Sequence, residues 1–155
     1  MPAAREIVVA NRQRDRKLDR AAIKSLVEWL LFEELRLEAA ELGLRFVSSR
    51  EMARVHQEFM NIAGSTDVIT FDHGSQPPQS IHGEAYISIA DANSQASEFG
   101  TTWQSETARY VIHAILHLLG YDDLKADARA KMKRQENRLL KKAAGCFDLA
   151  RLEKK

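Results

Sequence analysis

Short runs of apolar residues alternate along the chain with longer stretches in which apolar residues follow helical spacing. Four runs rich in apolar and β-branched residues predict strands. These strands are expected at positions 6–11, 42–47, 66–71 and 84–89. The segments 61–65 and 72–79 contain Gly and Pro residues or small polar residues and are expected to be loops.

Helical spacing predicts about five helices around these strands. Asp19 is a suitable N-cap for the first, Ser48 and Glu51 form a capping box for the second, and Gly120 ends the fourth. The helices are expected at about 20–36, 49–60, 90–99, 102–119 and 124–144. The last helix is expected to carry one stripe formed by Leu124, Ala128, Met132, Gln135 and Leu139. This order of elements indicates an α+β fold, with a small four-stranded mixed sheet packed by the helices.

The composition is that of an ordinary globular protein. A chain of 155 residues fits one compact domain, so residues 1–155 are expected to form a single unit. The longest apolar runs are far too short to cross a bilayer, and the first residues carry no apolar stretch typical of a signal peptide. A cytoplasmic location is therefore expected, and the single cysteine, Cys146, excludes an intramolecular disulfide.

Charge does not identify a partner by itself. The net charge is only +1, but basic residues concentrate near positions 12–20 and again near 131–142. Such clusters could contact phosphates, or they could be ordinary solvated surfaces. Both interpretations stay open at this point.

Two histidines on the fourth predicted helix are the strongest chemical signal. His113 and His117 are four residues apart, so their side chains lie on one helix face, nearly opposite the apolar stripe. Gly120 then allows the chain to turn back, so that Asp123 can meet both imidazoles at the end of this central helix. Two imidazoles and one carboxylate suit a divalent ion, with zinc expected, and leave one position for a reactive water.

Simpler interpretations of the same residues exist. A histidine on a helix is usually a packing or surface residue, and Asp123 stands where an N-cap for the last helix belongs. The spacing also resembles that of metzincin-type zinc proteases, which carry His-Glu-x-x-His-x-x-Gly-x-x-His. Ala114 occupies the position of their essential glutamate, so a peptidase is the weaker hypothesis.

The segment 113–123, His-Ala-Ile-Leu-His-Leu-Leu-Gly-Tyr-Asp-Asp, is similar to the signature His-Gly-x-Leu-His-Leu-x-Gly-Tyr-Asp-His of the YbeY family. The segments 66–71 and 83–88 also resemble family motifs, and their order and spacing match over nearly the whole chain. The resemblance implies a zinc-dependent endoribonuclease that cleaves single-stranded RNA in small-subunit rRNA maturation and ribosome quality control. Its implied partner is RNA or the small ribosomal subunit, rather than DNA or a membrane.

The resemblance carries the metal ligands to His113, His117 and Asp123. The family usually has histidine where this chain has Asp123, and a carboxylate makes manganese or another divalent ion more competitive. Many family members carry an arginine in the loop before the Thr-Asp-Val motif, and here that loop has none. Arg50 or Arg54 on the preceding helix could substitute, although both suit an exposed helix surface equally well.

Together these features predict hydrolysis of RNA phosphodiesters at one metal ion, with no side chain assigned as a general base. The alternative of another class is a non-catalytic ribosome-assembly factor in which a metal only fastens the last two helices. Three further side chains are weaker candidates for a role near the metal. His73 and His82 flank the proline-containing loop, and Glu106 shares the histidine face of its helix, where an exposed acid is an equally good interpretation.

Overall fold

The computed structural model describes residues 3–62, 64 and 66–155. Its strands are β1 (Arg5–Arg12), β2 (Ala39–Val47), β3 (Val68–Asp72) and β4 (Ser80–Ser88). Its α-helices are α1 (Arg20–Glu28), α2 (Ser49–Met60), α3 (Ile89–Phe99), α4 (Trp103–Leu118) and α5 (Ala126–Cys146). A π-helical turn at Trp29–Glu34 extends α1, and a 3-10 turn at Leu149–Leu152 follows α5. The predicted α+β class is confirmed.

The four strands form one mixed sheet in the order β1-β2-β4-β3. The pairs β1–β2 and β2–β4 are parallel, whereas β3 runs antiparallel to β4. Alternate residues of β2 and β4 are buried, which places one face of the sheet against the core. On that face the core includes Leu42, Leu44 and Ala85 together with the apolar sides of α1 and α4.

The described residues cover the second face of the sheet at one end only. There α2 contributes Met52 and Val55 to a small cluster with Ile69 of β3, against which Phe71 and Tyr86 pack. The sequence signal for α2 is confirmed, because the Ser48 hydroxyl accepts a hydrogen bond from the Glu51 backbone N–H at 3.1 Å.

Three element boundaries and the type of one helical turn differ from the predicted ones. β2 and β4 begin at Ala39 and Ser80, several residues earlier than expected, because their backbones pair along the whole length 39–47 with 80–88. The first helix reaches its predicted end through the π-helical turn, and Arg36, with a φ of 55°, stops it. Leu124 is 85% exposed and precedes α5 instead of starting it.

The remaining boundaries agree with the sequence to within a few residues. Two residues of the predicted loop 61–65, numbers 63 and 65, lie outside the described part of the chain. Within the described part, none of the helices combines the length and apolar character required to span a membrane.

Candidate metal centre

The end of α4 brings the three predicted ligands together. Gly120 has a φ of 96°, a left-handed conformation that glycine adopts without a steric penalty. The Tyr121 N–H donates to the Leu116 carbonyl at 3.0 Å, and the Gly120 N–H donates to the His117 carbonyl at 3.0 Å. These two bonds form a Schellman motif, which reverses the chain and directs Asp123 back towards α4.

The three donor atoms form a small triangle. The Nε2 atoms of His113 and His117 are 3.1 Å apart, and Asp123 Oδ2 lies 3.7 Å from the first and 3.5 Å from the second. A tetrahedral ion with bonds of about 2.0–2.1 Å separates its donors by about 3.3 Å. The donor set and its spacing therefore fit such an ion, and all three ligand atoms lie within 4.8 Å of one another.

The electrostatics of His117 favour the form of the imidazole that binds metals. Burial, followed by the nearby positive charge that His113 would carry, lowers the pKa of His117 below the ordinary histidine value. His117 is therefore neutral near pH 7, with a lone pair available for an ion. The side chain stays 29% exposed, so the site is accessible from solvent.

Glu136, a buried carboxylate on α5, contacts the Nδ1 atom of His113. Glu136 Oε2 lies 2.9 Å from His113 Nδ1, while Glu136 Oε1 accepts from Arg109 at 3.0 Å and from Lys133 at 3.3 Å. Burial would raise the pKa of Glu136, but the hydrogen bonds from His113 and Arg109 outweigh it and lower the pKa to about 2. The group is therefore a carboxylate at every pH at which the protein is expected to work.

A cleft of about 440 Å³ opens beside the histidines, between α4 and α5. His113 and Asp123 line it together with three cationic side chains, Arg109, Arg129 and Lys133. Arg109 is held by Glu136 and by Asn137 Oδ1, the latter at 2.8 Å, so its charge is already used within the protein. Arg129 and Lys133 are exposed on α5. Lys133 also contacts Glu136 Oε1 at 3.3 Å, but its side chain is 58% exposed, so both cations are accessible to a ligand in the cleft.

Comparison with known proteins identifies the family. A sequence model described as Endoribonuclease YbeY matches residues 8–144. The chain belongs to the endoribonuclease YbeY family. Proteins named Endoribonuclease YbeY from Chlorobium phaeovibrioides and Chlorobium luteolum are 32% and 34% identical to it, each over 81% of this chain. These alignments cover 83% and 89% of the two relatives.

A solved structure shows the same fold. The solution structure of TM1509 from Thermotoga maritima superposes with a TM-score of 0.69, covering 96% of each chain at 22% identity. The sequence resemblance to the YbeY family is thus confirmed, and the four-stranded sheet with its helices has a counterpart of known structure. The assignment of the three ligands remains an inference from their geometry.

The weaker candidates for this YbeY-family site lie elsewhere or have other partners. His73 and His82 line a separate depression on the open face of the sheet, where they pair with Glu84 and Glu41. Of the two interpretations of Glu106, the exposed acid was wrong. The Glu106 side chain is only 8% exposed, and its carboxylate accepts a hydrogen bond from the Thr101 hydroxyl at 2.8 Å.

Arg50 and Arg54 are absent from the residues that line the cleft. Arg54 instead pairs with Glu58 at 2.8 Å and with Glu51 at 3.7 Å on α2. The cations that do line the cleft beyond Arg109 come from α5. Lys133 belongs to the second of the basic clusters noted in the sequence, and Arg129 lies just before it.

Sequence reasoning missed Glu136 and Arg109. The predicted buried stripe of α5 included Gln135, whereas the buried residues are Met132, Glu136, Leu139 and Ala143. This set has the spacing of four, three and four that keeps one helix face towards a neighbour. An acid at a position of this stripe was the available signal, since a buried glutamate is almost always paired.

Proposed function

We propose that this chain is a metal-dependent endoribonuclease for single-stranded RNA, in which His113, His117 and Asp123 hold one divalent ion, preferably zinc. The observation that carries the proposal is the triangle of three donor atoms beside a cleft, in a chain of the YbeY family. A structural zinc site usually has four protein ligands, whereas a catalytic one keeps a position for water or substrate. Three ligands therefore favour catalysis.

The protein's own residues bind and orient the substrate in this proposal. A bound divalent ion supplies a reactive water at neutral pH and offsets charge on a phosphoryl oxygen. His117, neutral through burial, contributes its lone pair to hold that ion. The side chains of Arg129 and Lys133 extend the cationic wall of the cleft along α5, where they would contact the phosphates flanking the cleaved bond.

We further propose that residues 1–155 act as a single hydrolase domain in the cytoplasm, in small-subunit rRNA maturation and ribosome quality control. The names of the relatives support RNA as the substrate, because each is called an endoribonuclease. RNA instead of DNA is the expected substrate, and no membrane partner is expected. Asp123 in place of the usual histidine makes manganese the main competitor of zinc.

The proposal is tested by cleavage of one labelled sequence prepared as single-stranded RNA, duplex RNA and single-stranded DNA. Wild-type protein with zinc or manganese is expected to cut the single-stranded RNA at least about 100-fold faster than the other two substrates. His117→Ala, purified in parallel and shown to be folded by circular dichroism, is expected to lose this activity. His56→Ala is the control, since His56 is a half-buried histidine on α2 that contacts the Gly64 carbonyl.

Equal cleavage by wild type and His117→Ala would mean that the activity comes from another site or from a contaminant. Absence of cleavage by either protein would contradict the enzymatic proposal for free RNA. It would favour the alternative of an assembly factor, for which one observation speaks. The ligands lie on α4 and in the loop that leads to α5, so an ion there would also fasten these helices.

The peptidase hypothesis gains nothing from the structure. Ala114, which stands at the position of the protease glutamate, is fully buried in the core. A glutamate there would point into apolar surroundings instead of towards a substrate. Casein cleavage that a chelator abolishes would be needed to revive this hypothesis.

A further inference from the structure

Glu136 is a buried charge with an unusual set of partners. Its side chain is 6% exposed, and it lies 23 positions from His113 on a different helix. Burying a carboxylate is costly unless hydrogen bonds and opposite charges compensate it. Both carboxylate oxygens of Glu136 have hydrogen-bonding partners, and the two oxygens have partners of different types.

One oxygen of Glu136 contacts two cationic side chains, and the other contacts an imidazole. Oε1 faces Arg109 and Lys133, which can only donate hydrogen bonds. Oε2 faces Nδ1 of His113, a ring nitrogen that either donates or accepts, depending on the tautomer. A carboxylate has no proton to donate, so the short contact of 2.9 Å requires Nδ1 to carry the proton.

The geometry points to Glu136 as a positioning residue: we propose that it fixes the Nδ1–H tautomer of His113, so that Nε2 presents its lone pair to the metal. Arg109 has a supporting role, because it holds the second oxygen and Asn137, the next residue of α5. The inference rests on the ligand role of His113 in the proposed function. It goes beyond that function by extending the metal site to α5.

The isosteric substitution Glu136→Gln shows why the charge of Glu136 and the orientation of its carboxylate both affect the tautomer of His113. In Glu136→Gln, Arg109 and Lys133 would still require an acceptor, so the amide oxygen is expected to face them. The amide NH₂ would then face His113 Nδ1 and donate to it. That bond favours the opposite tautomer, with the proton on Nε2, the atom that faces His117 and Asp123. The variant keeps the shape of the site but protonates a metal-binding atom.

The first experiment measures the tautomer directly. The ¹⁵N shifts of histidine-labelled, chelator-treated protein distinguish protonated from unprotonated ring nitrogens, at a pH about two units above the ordinary histidine pKa of about 6.5. In wild type, His113 is expected to carry its proton on Nδ1, and in Glu136→Gln on Nε2. Finding the Nε2–H tautomer in wild type would overturn the proposal without any variant having to fold.

The second experiment measures affinity for zinc alone, by competition with a chromophoric chelator. Glu136→Gln is expected to bind zinc about 10- to 100-fold more weakly, in the range found when such partners of a metal-binding histidine are removed. The matched control is Glu34→Gln. Glu34 also anchors α5, through Lys142 at 2.7 Å and Arg138 at 3.3 Å, but away from the site.

A merely structural role for Glu136 predicts a different pattern. Both variants would then lower the melting temperature, and neither would change zinc affinity or the tautomer. That result would overturn the proposal, as would wild-type affinity in Glu136→Gln. Glu136→Asp, which keeps the charge, is expected to recover part of the affinity. None of these measurements uses RNA, so they remain interpretable even if the nuclease proposal fails. Unchanged zinc binding by His113→Ala, by contrast, would refute the assignment of His113 as a metal ligand.

Discussion

Two regions of this protein contain a pair of histidines close to carboxylates, and only one of them forms a compact ligand set. At the end of α4, His113 and His117 point their Nε2 atoms at each other across 3.1 Å and at Asp123. On the open face of the sheet, His73 and His82 have ring centroids 5.9 Å apart. Each contacts its own carboxylate, Glu84 at 3.6 Å and Glu41 at 3.2 Å.

Local geometry explains the difference between these two pairs. Residues four apart on a helix lie one above the other, so two imidazoles can converge on a point. His73 and His82 come from adjacent antiparallel segments, joined by a backbone bond from His73 N–H to the His82 carbonyl at 2.8 Å. Side chains on a sheet stand roughly perpendicular to it, so these two stand side by side instead of converging.

Burial of the supporting groups is the second difference. His113 is backed by Glu136, whose side chain is 6% exposed, whereas His82 is paired with Glu41, whose side chain is 47% exposed. An exposed pair is screened by water and fixes little, but a buried carboxylate with cationic partners fixes the orientation of what it contacts. Residue types alone therefore do not define a metal site. A metal site also requires ligand atoms that converge on one point and a buried group that orients a ligand.

The largest effect is expected from deleting one histidine of each pair. His113→Ala is expected to weaken zinc binding by about 1000-fold or more, since two ligands cannot replace three. His82→Ala is expected to leave it unchanged. Isothermal titration of chelator-treated proteins with zinc measures both. If His82→Ala weakened binding as much as His113→Ala, the contrast drawn between the two regions would be wrong.

A smaller effect is expected from adding one methyl group to each face of the sheet. In Gly83→Ala the new Cβ would clash with the Phe71 carbonyl oxygen and lie 2.7 Å from the Leu118 side chain. Relief requires the strands or the end of α4 to move, so a loss of about 2–3 kcal/mol in the free energy of unfolding is expected. Because Leu118 follows His117, zinc affinity should fall as well.

Gly43→Ala is the matched control for this change. Its new Cβ would lie 3.6 Å from the Glu84 Cβ, an ordinary contact on the open face. An alanine there restricts the unfolded chain, so the free energy of unfolding is expected to change by less than about 1 kcal/mol. Urea denaturation compares the two variants. Equal stability of both would show that the covered face tolerates movement and does not transmit it to α4.

The sequence predicted the convergent pair because its geometry is local. The spacing of His113 and His117 and the turn at Gly120 depend only on neighbours within ten residues, and these also place Asp123. The four strands and five helices were likewise predicted from local periodicity. The π-helical turn was not, because it depends on bonds such as Leu35 N–H to the Leu30 carbonyl at 2.9 Å, which the same apolar spacing does not reveal.

The contact of Glu136 with His113 could not be predicted from the sequence in the same way. Glu136 reaches His113 only because α5 packs against α4 at one particular rotation, and one step of about 100° along the helix separates it from Gln135. The apolar stripe was too sparse to decide between the two residues. The cleft has the same origin, since it lies between helices whose relative positions are set by tertiary packing.

The smallest effect concerns RNA contacts and again contrasts the two sides of the molecule. Arg129 lines the cleft on α5, whereas Arg50 lies on α2, at the covered end of the opposite sheet face. If Arg129 contacts one phosphate, Arg129→Gln should lower affinity a few-fold. It should also reduce the slope of log K against log salt concentration by about 0.7, the value per phosphate for single strands.

Fluorescence anisotropy with a labelled single-stranded RNA and chelator-treated protein measures this slope, because the proposed mechanism cannot cut the RNA without the ion. Arg50→Gln is the control and should change neither affinity nor slope, because both substitutions remove one exposed positive charge. A reduced slope for Arg50→Gln alone would place the RNA path along α2 and away from the cleft. Equal reductions would indicate attraction by overall charge, without a defined path. A reduction confined to Arg129→Gln would mean that the helix whose Glu136 supports the metal site also guides the substrate to it.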